Sequence, residues 1–357
     1  MELTLSILVI SHNQKELLRR CITSLLQQQL SCPYEIIISD DRSTDGTWEL
    51  IEAYQQQYPD LIFGYHCNSD ECHPANRSER CGWNKANAYR HAKGKYFVNI
   101  DADDYLKSND IYQLQVDALE AHPECSMCQQ QIWTVNDGEE LETGRAWPIS
   151  PLITSGNILT PTDIILKGLR ALNQGYMMRR NPTVDPIELY GKHFDDTVIT
   201  LHHLQYGNVV VVERADYVWV QYASSINSSL KNMDRDVVIG LLPIHHILFI
   251  PTFAGLFIKD GLPELVDLFY QSSQRTMNLT PETRNFLNEF KGFVFRYYTK
   301  SNLSLWYKWR MLIVRYLVLF IKKYKLDYTW AYQLLFAMMV DAKSAHKITK
   351  EQWNINP

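Results

Sequence analysis

The chain predicts an α/β fold, a mostly parallel sheet flanked by helices, followed by a helical C-terminal region. Two observations carry the expectation. Over the first hundred residues, apolar β-favouring runs alternate with amphipathic helical stretches across short links. Two of those runs also stop abruptly at carboxylates, as strands do where an open sheet meets its ligand crevice.

Thr4–Ile10 reads as the first strand, and Lys15–Gln29 as a helix with Leu17, Leu18, Cys21, Ile22, Leu25 and Leu26 on one face. Tyr34–Ser39 is the second strand. Thr47–Tyr58 is the second helix, opened by the polar turn Ser43-Thr44-Asp45-Gly46. Leu61–His66 is a third strand, Trp83–Ala92 a third helix stopped by Gly94, and Tyr96–Ile100 a fourth strand. Ile111–Ala121 is read as helix and Ser126–Val135 as one strand. Between Gly138 and Tyr190 the pattern loosens into turns and prolines. Asp196–Tyr206 then reads as helix and Val209–Val212 as strand. The Ser224–Ser229 stretch is a hinge, and the sequence beyond Asp234 is helical. The expected division is 1–225 for the catalytic domain and 226–357 for the helical region.

At 357 residues there is material for one large domain or two. A net charge of −5, with 46% hydrophobic and 21% charged residues, gives no basis for a nucleic-acid partner. Seven cysteines, an odd number, and an amino terminus that reads as a strand predict a cytoplasmic, reducing setting. Cys67, Cys72 and Cys81 near His66 and His73 fit no zinc-knuckle spacing. No window holds the roughly 18 uninterrupted apolar residues of a membrane span.

Chemistry concentrates at Asp101, Asp103 and Asp104, which close the run Phe97–Ile100. Acids so close repel one another unless a cation or an array of donors sits among them. Their hard oxygens suit Mg²⁺ or Mn²⁺, which commonly bridges to substrate phosphates, although Asp after a strand also caps helices. The second cluster, Asp40-Asp41-Arg42-Ser43-Thr44-Asp45, follows Ile36–Ser39. A carboxylate here either accepts the imide N–H of a uracil or a ribose hydroxyl, or simply caps the next helix. The first strand ends in Ser11-His12-Asn13, at the same sheet rim. A third cluster, His193-Phe194-Asp195-Asp196, opens a helix, where an acid stays ionised and serves either as general base or as cap. GxGxxG, GxxxxGK[ST] and G-x-S-x-G motifs are absent, which argues against dinucleotide, P-loop and hydrolase chemistry.

In this order, Val9-Ile10-Ser11-His12-Asn13, Ser39–Thr47, Ala92-Lys93-Gly94-Lys95-Tyr96 with Asp101-Ala102-Asp103-Asp104, and Asp195-Asp196 resemble family 2 glycosyltransferases of the GT-A (Rossmann-like) fold. The resemblance spans roughly residues 1–225. It implies an inverting enzyme using a nucleotide-sugar donor, commonly a UDP-sugar, with Mn²⁺ or Mg²⁺. It implies that Ser11 and Asn13 line the nucleotide pocket, that Asp40 or Asp41 meets uracil, and that Lys85 lies on the phosphate side. Asp101, with Ala102, then contacts ribose or donor sugar, Asp103 ligates the metal with Asp104 in support, and Asp196 is the general base beside Asp195. Three departures stand out: Arg42 where the family usually has Gly, Lys85 in place of an Arg-Asn pair, and Asp195 where Glu is common.

The acceptor implied is a glycan or lipid-linked glycan in surface polysaccharide synthesis. Two rival readings are a sugar nucleotidyltransferase and a non-catalytic nucleotide-sugar-binding module. The first calls for a Gly-rich, basic opening loop, which Ser11-His12-Asn13-Gln14 is not. The mixture of Trp306, Lys308, Trp309, Arg310, Arg315, Tyr316, Lys322 and Lys323 suits interfacial helices on the inner face of the plasma membrane. It suits equally a helical subdomain with solvated basic residues.

Overall fold

A computed structural model describes residues 3–72, 77–147, 156–166, 174–190 and 196–222. The chain divides into two units, Met1–Ser229 and Leu230–Pro357. The expected hinge, the helices after Asp234 and the basic aromatic segment lie outside the described residues.

The strands and helices, in chain order, begin with β1 (Leu5–Ser11), α1 (Lys15–Leu26), β2 (Tyr34–Asp40), α2 (Thr47–Gln57), β3 (Ile62–His66), α3 (Arg77–His91) and β4 (Tyr96–Asp101). There follow β5 (Tyr105–Leu106), α4 (Ile111–Ala121), β6 (Cys125–Gln129), β7 (Ile132–Asn136), β8 (Arg145–Trp147) and β9 (Ile158–Leu159). The last are α5 (Pro161–Leu166), β10 (Tyr176–Arg179), α6 (Pro186–Tyr190), α7 (Asp196–Leu204), β11 (Asn208–Val211) and β12 (Tyr217–Gln221). Eight strands form one sheet in the order β3-β2-β1-β4-β10-β6-β11-β9, and β5-β12-β7-β8 form a second.

β3, β2, β1 and β4 pair in parallel, and so do β6 and β11; β10 runs antiparallel between β4 and β6, and β9 antiparallel on β11. β1, β2 and β4 are buried along almost their whole length because both of their faces are covered, whereas the edge strand β3 is partly exposed. Leu5, Ile7, Val9, Ile36, Ile38, Val98 and Ile100 meet Leu18, Ile22 and Leu25 of α1, Ile51 of α2 and Val116 of α4. Helix α3 lies on β1 and β2.

Gly94 ends α3 for reasons of space: a Cβ there would stand 2.6 Å from the Ser6 backbone nitrogen. The same corner is sealed by buried Glu35, which accepts bonds from Ser6 Oγ at 2.7 Å and the Lys93 N–H at 2.8 Å.

The expected strand Ser126–Val135 is two strands in different sheets. The break falls at Gln130 and Gln131. The Gln130 side-chain carbonyl accepts the N–H groups of Asp216 and Tyr217, each at 3.1 Å, while the Gln131 N–H donates to the Arg214 carbonyl at 2.7 Å. These bonds carry the chain from one sheet to the other. Helix α1 also stops three residues short of its expected end, because Gln28 and Gln29 turn to bond Ser108 and Asn109 carbonyls. Helix α3 starts six residues before its expected first turn. The loose stretch after Gly138 supplies β10 to the middle of the large sheet.

His203, buried on α7, donates from Nδ1 to the Ile199 carbonyl at 2.8 Å, and burial pushes its pKa down to about 4 from 6.5. Between those values the unfolded chain holds a proton that the folded chain refuses. The stability contributed by neutral His203 is therefore complete above 6.5 and is lost as pH falls toward 4, at up to about 1.4 kcal/mol per pH unit. Urea unfolding of wild type and His203→Gln across this range checks the assignment. The stability gap between them narrows on acidification; a constant gap contradicts it.

Candidate active site

Strand register gathers the predicted residues. Ser11 pairs with Asp40 across β1 and β2, and Ile10 pairs with Asp101 across β1 and β4. The carboxyl ends of three strands thus lie side by side where the strand order reverses, the position of the ligand crevice in open α/β sheets.

The β1 and β2 ends are laced together. The His12 ring donates from Nδ1 to the Asp41 carbonyl at 2.6 Å. Asn13 gives its N–H to Ser43 Oγ at 2.7 Å and accepts the Thr44 N–H at 2.8 Å. Asp40 is wholly buried, and its two oxygens accept the Ser43 hydroxyl at 2.5 Å and the Ser43 N–H at 3.0 Å. Asp45 takes the Thr47 N–H at 3.0 Å, while the cap position of α2 itself is held by Gly46. Asn13 and Arg42 have φ of +53° and +54°, the left-handed region. That explains why glycine suits the Arg42 position. The Arg42 side chain, about half exposed, pairs with Asp70 and with Asn68 Oδ1 at 3.0 Å.

Asp41 sits in a second network. It accepts the Ser69 hydroxyl at 2.7 Å and Arg80 Nη2 at 3.1 Å, and Arg80 also pairs with Asp70. The Ser11 backbone carbonyl receives Asn84 Nδ2 at 3.0 Å, while its buried Oγ has no partner among the described residues.

At the end of β4, Ala102 is buried and donates its N–H to the Ile10 carbonyl at 3.1 Å. This seats the turn that carries the acids. Buried Lys85 places Nζ 3.5 Å from Asp101 Oδ1. Oxygens of Asp101, Asp103 and Asp104 come within 4.8 Å of one another, the one such group among the described residues. Asp104, 1% exposed, accepts Tyr217 Oη at 2.7 Å and the Val220 N–H at 3.0 Å. Burial, then repulsion from Asp103 and Asp101, raises its pKa well above the usual range. Asp103 is pushed up to about 6 by burial and by Asp101. A divalent cation would relieve that repulsion, and three hard carboxylates fit Mn²⁺ or Mg²⁺.

Asp195 lies outside the described residues; Asp196 opens α7, but its side chain lies outside them too, as does that of Trp147. Among described residues, Arg20, which donates to the Asp103 backbone carbonyl, Ser69, Arg80 and Tyr217 join the site without having been read from sequence. Tyr217 alone had a local signal, the alternating run Tyr217–Gln221.

The family model for glycosyl transferase family 2 matches residues 6–162. An uncharacterized protein of Mycobacterium tuberculosis is 32% identical over 132 residues, 35% of this chain and 34% of that one. A UDP-Glc:alpha-D-GlcNAc-diphosphoundecaprenol beta-1,3-glucosyltransferase of Escherichia coli, WfaP, is 33% identical over 106 residues, 30% of this chain and 38% of its own. The chain thus spans about a third of the length of these curated relatives. The structure of S. aureus TarS 1–349 in complex with UDP-GlcNAc is 16% identical, covering 75% of this chain and 80% of that one, with a TM-score of 0.49.

Asp104→Ala leaves two buried donors, Tyr217 Oη and the Val220 N–H, without their acceptor. The expected loss is about 3 kcal/mol, read as a lower urea midpoint in EDTA. An unchanged midpoint contradicts a bracing role for Asp104.

Proposed function

From the match of residues 6–162 to the model for glycosyl transferase family 2, we propose that the chain moves a sugar from a UDP-sugar to a hydroxyl of a glycan or lipid-linked glycan, with inversion at the anomeric carbon. The observation that carries the reading is the meeting of Asp101, Asp103 and Asp104 beside the ends of β1 and β2.

In this reading Ser11 and Asn13 border the nucleotide. Asp40, bonded through both oxygens to Ser43, and Asp41, bonded to Ser69 and Arg80, shape the loop on which one of them meets the base. Lys85, 3.5 Å from Asp101 Oδ1, orients that carboxylate toward ribose or donor sugar. Asp103, supported by Asp101 and Asp104, would hold Mn²⁺ or Mg²⁺. When bound, the ion supplies positive charge for the departing diphosphate. Asp196 takes the proton of the acceptor hydroxyl as that oxygen attacks the face opposite the leaving group, and Asp195 orients the acceptor.

WfaP is named for a UDP-glucose donor and a diphosphoundecaprenol-linked acceptor. That supports a UDP-hexose and a lipid-linked acceptor here, in surface polysaccharide synthesis on the cytoplasmic side. Among the described residues no helix is long and apolar enough to cross a membrane. Peripheral contact through the basic aromatic C-terminal segment is part of the proposal. The full chain is then expected to co-sediment with anionic vesicles and not with neutral ones; equal recovery with both removes that part.

A paired experiment tests the chemistry. Asp103→Ala is expected to abolish the Mn²⁺-dependent part of UDP binding in calorimetry. Asp196→Asn is expected to lower transfer about 10³-fold while UDP-sugar affinity stays near wild type. Wild-type turnover in Asp196→Asn would refute the base assignment. A wild-type chain that neither transfers nor hydrolyses any nucleotide sugar in a donor panel would point to a binding module instead.

A further inference from the structure

Arg20 is absent from the roles given so far, yet its side chain joins three separate parts of the domain. It projects from α1. Its Nη2 donates to the Asp103 backbone carbonyl and, at 3.1 Å, to Tyr222 Oη just beyond β12. The guanidinium carbon stands 4.5 Å from the centroid of the Tyr105 ring on β5. Its Nε is buried and has no partner among the described residues. A buried donor without an acceptor is unfavourable, and natural proteins keep few of them.

The turn bearing Asp103 has three backbone restraints. The Ala102 N–H is held by the Ile10 carbonyl and the Asp104 N–H by the Asp101 carbonyl at 2.9 Å. The third is the Asp103 carbonyl itself, and Arg20 supplies its donor. Fixing that peptide fixes the origin and direction of the Asp103 carboxylate.

We infer that Arg20 is a positioning residue for the divalent-cation site, acting through the Asp103 backbone rather than by touching the ion or the substrate. The inference rests on the reading of Asp103 as the metal ligand. Its charge works the other way, since a guanidinium near a bound cation repels it. The contact geometry must therefore outweigh the charge, and the two are separable. Lysine keeps the charge but has neither a plane to lie on Tyr105 nor the reach of the guanidinium. Residues that orient metal ligands typically change metal affinity by 10–100-fold when replaced.

The test measures Mn²⁺ affinity of the full chain in the presence of UDP, by the electron paramagnetic resonance of free Mn²⁺. Arg20→Lys is expected to bind Mn²⁺ about tenfold more weakly than wild type, with its thermal midpoint in EDTA within a few degrees. Unchanged or tighter affinity in Arg20→Lys overturns the inference. So does a parallel collapse of affinity and thermal midpoint, which marks a purely structural residue. Should Arg20→Lys fail to melt cooperatively, Tyr222→Phe replaces it, removing one acceptor of the same Nη2. Weaker Mn²⁺ binding than wild type is then expected, and wild-type affinity again overturns the inference. Wild-type chain that binds no Mn²⁺, or binding that survives Asp103→Ala, overturns the ligand assignment instead.

Discussion

The two sheets of this domain meet at a buried carboxylate. Asp104 leaves the large sheet at the end of β4 and reaches both the Tyr217 hydroxyl and the Val220 amide of the small one. The other joints depend on where that acid sits. Tyr217 also receives the Asp101 N–H at 3.4 Å, and β5 pairs with β12 directly after Asp104. A structural bond between sheets and a cluster of chemical groups thus occupy the same four residues.

The cost of that economy is electrostatic. Like charges within 4.8 Å repel by roughly 3 kcal/mol at an effective dielectric of about 20. Hydrogen bonds to a charged acceptor return about 1.5–3 kcal/mol each, so two bonds to Asp104 offset the repulsion from one neighbour but not the burial as well. The raised pKa values of Asp103 and Asp104 express the remainder. Lys85 at one side and Arg20 at the other lower it for Asp103 without removing it. Such an unsettled site is stable only inside a scaffold held firmly elsewhere, and the apolar pairing of β1, β2 and β4 provides that.

What could be read from the sequence was what local pattern encodes. Helix α4 was expected at Ile111–Ala121 and is found there, and β1, β2 and β4 agree within a residue at each end, because each element buries its own apolar face. The acidic trio was legible since its members are adjacent in the chain. β5 and β10 were not, being two and four residues long and defined by their partners rather than by any period of their own. Gln130 gave a polar break in an apolar run, but only the distant amides of Asp216 and Tyr217 explain it. The same holds for the bonds by which Asp40 and Asn13 hold Ser43 and Thr44, which no local pattern signals.

One feature of the large sheet bears on how the chain comes to be folded. β4 is complete by Asp101, yet one of its two edges pairs with β10, which begins at Tyr176. During synthesis, about seventy-five residues must follow before that edge is closed, several seconds at ordinary elongation rates. Until then a short, mostly apolar strand with free amides and carbonyls stands open to any neighbouring chain. The central position of an antiparallel strand thus turns a matter of topology into one of timing: growing chains are at most risk of sticking together in that interval, and attending chaperones would be needed most there.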